Sequence, residues 1–410
     1  MRRLWVISVF VLACLVLSGC GSRIELNDLG ILAATGVDGV KGDWTITYQV
    51  IIPSAISAGS SVSPGGGSSQ AAVHTFSTHG TTIREAIDTS NLENPRKLYF
   101  AHNNVLIIGK KAAEAGIEEV LDTYFRSTDA RETVNVLIAD GEARNLLKML
   151  VPPEKIPGQA LKKILKMDNS LGAYYPSISV YELTLKTISD SGAVGVPEVS
   201  LAGSDGTSPK SIDIFKQTSP RLKLKLSGLS VFHHARRVAS LNRRESLGIS
   251  WLTNHVKSST LSFKDENSDS GDTALSTFRV DKTKVTVTPV KGPLHFTLNV
   301  KAKVAGELIG STSGEDISKS RSVAHMQKQV EKIVEAQIMQ GWTAVQRLDI
   351  DLVGIADKVH RKYPHYWKQN KDIWPEELSR MEINLDVKAV IRRPGLFQKS
   401  LSKLLMTETE

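Results

Sequence analysis

Cysteine is almost absent from this chain: two in 410 residues, Cys14 and Cys20. With both inside the first twenty residues, the rest must be held by burial alone, which a chain of this length with 41% hydrophobic residues can supply. The motifs of hydrolytic chemistry are missing too. No Gly-x-Ser-x-Gly elbow and no His-Glu-x-x-His occurs. The glycine-rich run Ser63-Pro64-Gly65-Gly66-Gly67-Ser68-Ser69 is followed by no lysine, so it reads as a flexible loop, not a phosphate cradle. The polar run from Lys264 to Asp272 has the content of a calcium loop without its spacing or its closing bidentate glutamate. Basic stretches interleaved with aromatics are lacking, which argues against nucleic acid as partner.

What is present begins at the N-terminus. Met1-Arg2-Arg3 is a positive n-region, and Leu4 to Leu17 an apolar run too short for a permanent spanning helix, the pattern of a secretory signal. It ends in Leu17-Ser18-Gly19-Cys20, which resembles the bacterial lipoprotein signal. In that chemistry the Cys20 thiol takes a diacylglyceryl group before the Gly19–Cys20 bond is cut. Cys14 then leaves with the signal, Cys20 becomes a thioether, and no free thiol or disulfide remains. Loss of Arg2 and Arg3 lowers the formal charge of +8 by two, to +6, a mild attraction to anionic headgroups.

Residues 20–30 read as a short tether. Ile31 to Val37 and Trp44 to Pro53 are β-branched runs joined by turn residues, a hairpin that opens a sheet. A strand over Val73–Thr78 follows, then Thr82-Ile-Arg-Glu85 as a capping box. Leu98 to Gly109 is the most strand-like stretch, and Lys110 to Phe125 is helical with Gly116 interrupting it, as one bent helix or two short ones. Val134–Ala139 is a strand, Ala143–Leu150 a helix stopped at Pro152-Pro153, and Gln159–Leu165 and Tyr181–Ile188 are helical.

Residues Gly192 to Pro209 read as a linker and first domain boundary. Leu222 to Phe232 alternates as a half-buried strand, with a helix over Glu245–Thr253. Ala274–Val280, Lys284–Val290 and Phe296–Val304 read as a three-stranded meander. The longest helix starts at Ile317 and runs to about Val345, with Val323, Met326, Val330, Ile333, Val334, Ile338 and Trp342 on the face expected to cover a sheet. A helix over Leu348–His360, an aromatic loop and a last strand over Met381–Arg392 complete the chain.

The histidines do not assemble a metal site. His233 and His234 are adjacent and on a strand point to opposite faces. His360 and His365 lack a third ligand at suitable spacing, and His102 fits a sheet end. The aromatic run Tyr363, Tyr366, Trp367 and Trp374 is open to two readings, a plug at a domain's end or a partner-contact surface. No catalytic, cofactor-binding or metal residue emerges.

Several stretches in order are similar to the C subunit of bacterial spore germinant receptors, the Ger(x)C lipoprotein family. They are Leu17-Ser18-Gly19-Cys20, the segment Ile24 to Asp38, Thr82-Ile-Arg-Glu-Ala-Ile followed by Leu98-Tyr-Phe-Ala-His102-Asn-Asn-Val-Leu-Ile-Ile-Gly109, Gly228-Leu-Ser-Val-Phe232, and Pro364-His-Tyr-Trp367 to Trp374. Where that family commonly has Trp-Asp after the lipid cysteine, this chain has Gly21-Ser22-Arg23. The resemblance implies a non-enzymatic three-domain α+β protein without cofactor, lipid-anchored through Cys20 on the extracytoplasmic face of the spore inner membrane. It further implies action with two integral-membrane partners, the A and B subunits, in nutrient-triggered germination. The expected organisation is signal 1–19, tether 20–30, an N-terminal α+β domain 31–190, a small middle domain 191–272, a C-terminal α+β domain 273–402 and a tail 403–410. The rival readings are a solute-binding lipoprotein of a transporter and a cell-wall-acting lipoprotein enzyme.

Overall fold

The computed structural model describes residues 25–57, 71–203, 222–264, 275–311 and 319–393, with Arg2, Arg3, Trp5, Ile214, Phe215 and Ser219 besides. Cys20, the glycine-rich run after Ser57, the polar run after Lys264 and the expected start of the long helix at Ile317 lie outside the described residues. Thirteen strands are described, in two sheets.

The first sheet has the order β3-β2-β1-β5-β6-β7-β8-β9. Its strands are β1 (Leu29–Val40), β2 (Asp43–Ile51), β3 (Val73–Gly80), β5 (Val105–Gly109), β6 (Asn135–Ala139), β7 (Ala193–Gly203), β8 (Leu222–His233) and β9 (Arg236–Leu241). A short β4 (Lys97–Tyr99) pairs with the first residues of β1. β1, β5, β6 and β7 run parallel, and the flanking pairs are antiparallel. Lys41 and Gly42 turn β1 into β2; Gly39, paired with Trp44 just before the turn, has φ 96°, and a side chain there would run into the Asp43 carbonyl.

Parallel strands covered on both faces read as continuous apolar runs, and successive residues serve opposite cores. Leu106 and Ile108 of β5 face one core, together with α2 (Ile83–Thr89), α3 (Lys110–Ala115), α4 (Glu118–Arg126) and α7 (Val180–Thr187). Val105 and Ile107 face the other, which includes α5 (Ala143–Leu147), α6 (Pro157–Leu171) and α8 (Arg243–Leu252). A short α1 (Pro53–Ser57) follows β2.

The second sheet, β10 (Ser259–Lys264), β11 (Leu275–Lys291), β12 (Phe296–Ser311) and β13 (Glu382–Arg393), is antiparallel except for the parallel pair β12–β13. It packs against α9 (Ser320–Leu348), whose Met326, Val330, Val334, Ile338 and Trp342 are buried as the apolar spacing requires. α10 (Ile355–Lys362), α11 (Pro364–Asn370) and α12 (Trp374–Arg380) lie between α9 and β13 in the chain. The second core is continuous across both sheets: Leu137 and Trp251 belong to the same cluster as Phe278 and Val300.

The α+β architecture with mixed sheets is as expected; several local readings are corrected. Residues 193–203, read as a linker for their Gly, Ser and Pro, form a strand inside the first sheet, so the boundary expected at 190/191 falls within that sheet. Among its described residues the middle segment 191–272 has no sheet of its own, since β8 and β9 extend the first and β10 edges the second. Leu98–Gly109 is two strands split by a 3-10 turn over Phe100–His102, because β4 and β5 pair with different stretches of β1. Gly116, at φ 127°, separates α3 from α4. Two of the three meander segments are one long strand, β11, with irregular register between Val280 and Lys282. α10 begins at Ile355, later than the expected 348, and the aromatic loop is mostly helical.

Helix starts were well encoded. Ser179 with Glu182 and Asn242 with Glu245 form reciprocal capping boxes. At α2, Thr82 accepts from the Glu85 N–H, while the Glu85 carboxylate takes the N–H of Thr81, one residue earlier than the motif prescribes.

Candidate functional site

The four aromatic residues singled out by sequence converge on one end of the second sheet. Phe296, at the start of β12, meets Tyr363 at 5.5 Å and Tyr366 at 5.0 Å between ring centroids, both edge-on. Trp367 and Trp374 meet edge-on at 5.2 Å, and each is only 6% exposed. Pro364 and Pro375 sit in the first turns of α11 and α12, where a missing N–H costs nothing, so the short helices stack their aromatic faces inward. Trp367 and Trp374 are thus packed inward, and of the four only the half-buried Tyr363 and Tyr366 reach the surface. The indole N–H of Trp374 is buried without a hydrogen-bond partner among the described residues.

The histidines differ from their sequence reading in one respect. His234 leaves the strand with φ 53°, so its ring lies 4.4 Å from that of His233 instead of on the opposite face. Burial, and then the neighbouring His234, push the His233 pKa down. Among the described residues no group of three His, Cys, Asp or Glu side chains could hold a metal ion. His102 is exposed in the 3-10 turn after β4, and His365 is exposed on α11. His360 on α10 lies 2.7 Å from Asp190 through Nδ1 and stacks on Trp367. That contact joins α10 to the loop between α7 and β7, and it is seconded by Asp357, which accepts from the Asp190 N–H and the Ser191 hydroxyl, both at 3.0 Å. Partners more than 160 positions apart leave no sequence signal.

The buried carboxylates Asp38, Glu198, Asp351 and Glu377 and the half-buried Asp168 each hold hydrogen-bond donors in place. Asp38, at the end of β1, accepts from the N–H groups of Ala143 and Arg144 at 2.8 and 2.9 Å, holding the start of α5, while burial pushes its pKa up. Asp168 accepts from Tyr174 and Tyr175, and burial raises it likewise. Asp351 accepts from Ala356 at 2.6 Å and Val353 at 3.3 Å, and burial again dominates, raising its pKa. Glu198 takes the Ser230 hydroxyl at 2.6 Å and Arg237 at 3.0 Å. Glu377 takes the Phe296 N–H at 2.6 Å, pinning the aromatic cluster to the strand.

Hollows open among the described residues of the first half. One, of about 640 Å³, lies at the carboxyl ends of β1, β5 and β6 and includes Asp38, His79, Lys110, Glu142 and Arg144 in its lining. Two of its cations are paired, Lys110 with Asp140 and Arg144 with Glu142. Another, of about 160 Å³, lies between α2 and α4 over β4, with Lys97, Leu98, Phe100 and Tyr124 in its wall. Behind it Asn103 donates to Thr35 and to the Tyr124 hydroxyl. Such walls can bind or position a small group; in the larger one the Thr45 hydroxyl lies 2.9 Å from His79 Nδ1, a contact across the β2–β3 pair.

Comparison with known proteins covers most of the chain. A family model described as "Spore germination protein N-terminal domain" matches residues 22–201, and one described as "Spore germination B3/ GerAC like, C-terminal" matches residues 227–395. Spore germination protein KC of Bacillus subtilis (strain 168) is 29% identical over 95% of both chains. Spore germination protein B3 of the same organism is 22% identical over 93% of this chain and 95% of its own. Spore germination protein GerQC of Bacillus cereus is 20% identical over 94% and 97%. The crystal structure of the GerBC protein superposes with a TM-score of 0.53 at 18% identity, over 88% of this chain and 97% of that one.

Proposed function

Because this chain belongs to the Ger(x)C family of spore germination proteins, the C subunits of germinant receptors, we propose that it is the lipid-anchored, non-enzymatic subunit of a spore nutrient receptor. In this reading Cys20 carries the diacylglyceryl group on the extracytoplasmic face of the spore inner membrane. The folded part acts there with two integral-membrane subunits, A and B, to start germination. The observation that carries the reading is the conjunction of both family matches along the chain with Leu17-Ser18-Gly19-Cys20 at the end of a signal-like segment. No described helix is long and apolar enough to cross a membrane. A diacyl anchor supplies stable attachment without one, at about 0.8 kcal/mol for each buried methylene. Attachment also raises the local concentration of the folded part near its membrane partners.

A non-catalytic role is supported by the fate of the enclosed carboxylates: Asp38, Glu198, Asp351, Glu377 and the half-buried Asp168 hold backbone or side-chain donors in place. The test is Cys20→Ala with the signal intact. Fatty-acid labelling of the protein should vanish and germination through this receptor should weaken or stop. Undiminished labelling would rule out Cys20 as the anchor.

A further inference from the structure

The first residues of β1, β4, β6 and β7 lie along one edge of the first sheet, since these strands run parallel. Leu26, just before β1, is 70% exposed, and Leu92, in the turn before β4, is 86% exposed. Phe125, at the end of α4 on the way to β6, is 49% exposed.

α7 lies along the same edge. Its start is tied to the β6 approach by N–H bonds from Val180 to Val134 and from Tyr181 to Glu132, and its end runs into β7. Val180 and Leu183 face the core, while Tyr181, Leu185 and Ile188 recur at four and three residues on the outward face, with Ile188 74% exposed. Exposed large apolar groups gathered at one end of a sheet mark an interaction surface.

The occupant follows from chain length. Five residues separate Cys20 from Leu26, so six Cα steps, at most about 20 Å of chain, join a lipidated Cys20 to this edge. The opposite edge, at Val40, is about 35 Å farther along β1 at the usual rise per residue. We infer that this edge of the first sheet, carrying Leu26, Leu92, Phe125, Tyr181, Leu185 and Ile188, rests on the bilayer surface and dips its apolar side chains into the headgroup region. The inference rests on the anchor at Cys20 proposed above. A bilayer suits separate protruding side chains better than a protein partner does, since it asks for apolar reach without a matching concave surface.

The test uses the full chain produced in a host that processes lipoproteins and reconstituted into vesicles of phosphatidylethanolamine and phosphatidylglycerol containing a brominated lipid. With Cys14 removed with the signal and Cys20 acylated, an introduced cysteine is the sole thiol. Leu92→Cys, Ile188→Cys and Val40→Cys are each labelled with an environment-sensitive fluorophore. Quenching at 92 and 188 should exceed that at 40 by about two-fold or more, as depth-dependent contact with acyl chains requires. Protein that floats with the vesicles but shows equal quenching at all three positions, or none at 92 and 188, overturns the membrane-facing edge while leaving the anchor standing. Protein that does not float overturns both.

Discussion

Gly248 of α8 and Gly341 of α9 lie backbone to backbone where the two helices cross, joining the first half of the chain to the helix that covers the second sheet. A Cβ at Gly341 would sit 2.7 Å from Gly248 Cα and from the Ile249 nitrogen. The crossing is reinforced nearby by Trp251, whose indole N–H donates to Gln337 at 2.8 Å.

Substitution at this crossing should therefore weaken the whole fold. Alanine gains about 1 kcal/mol of helix propensity over glycine, but overpacking against backbone costs about 1–3 kcal/mol. Gly341→Ala should lose about 1 kcal/mol net and Gly341→Val about 3 kcal/mol, by the same rule of increasing overpacking. Urea unfolding with an unchanged slope would register the shift as a lower midpoint.

Asp351 closes the turn before α10 while fully enclosed by protein. Asp351→Ala strips the Ala356 and Val353 N–H groups of their acceptor and should cost about 2–4 kcal/mol. Asp351→Asn keeps an acceptor and should cost less, since burial already favours the uncharged acid. Thermal unfolding of the two variants side by side checks the order.

His255 should impose a pH slope. Burial holds its folded pKa below the ordinary 6.5, so the unfolded chain takes up the proton more readily. Its contribution to stability is fully present above pH 6.5 and is lost as pH falls from there through the folded value. His233 acts with the same sign. His255→Gln should flatten the decline in melting temperature between about pH 7 and pH 5, the comparison that tests the assignment.

The indole N–H of Trp374, unpartnered among the described residues, gives a sharper test of the aromatic cluster. Trp367→Ala removes a buried ring and should cost about 3–5 kcal/mol. Trp374→Phe also loses ring area, but it removes a buried donor whose lack of a partner costs about 1–3 kcal/mol, so it should be far milder. Denaturant midpoints for the two variants should differ accordingly.

The sequence revealed the elements better than their connections. The apolar spacing of α9, the hairpin of β1 and β2 and the alternation of the first half of β8 were legible because each is set by neighbours within a few residues, whereas Gly228 to Phe232, read as half-buried, are covered on both faces by distant elements. Strand β7 was not: its Gly195 and Pro197 read as linker, yet Val194, Val196 and Val199 are buried between β6 and β8. The sheet it completes is defined by distant partners. For the same reason Asp190–His360 and Ser191–Asp357 could not be read from sequence. The aromatic residues were found, but their inward direction depends on Phe296, some 70 residues earlier in the chain. The exposed edge with Leu92 and Ile188 was legible only once the parallel order placed those residues together.

The central claim is that this chain works as an anchored subunit beside membrane-spanning partners. Its most direct test is affinity purification of the tagged full chain from detergent-solubilised spore inner membranes. Recovery of two multispanning proteins in stable proportion to it, lost on Cys20→Ala, is the predicted result. Recovery of the chain alone from the membrane fraction, or its presence only in the soluble fraction, would contradict the account.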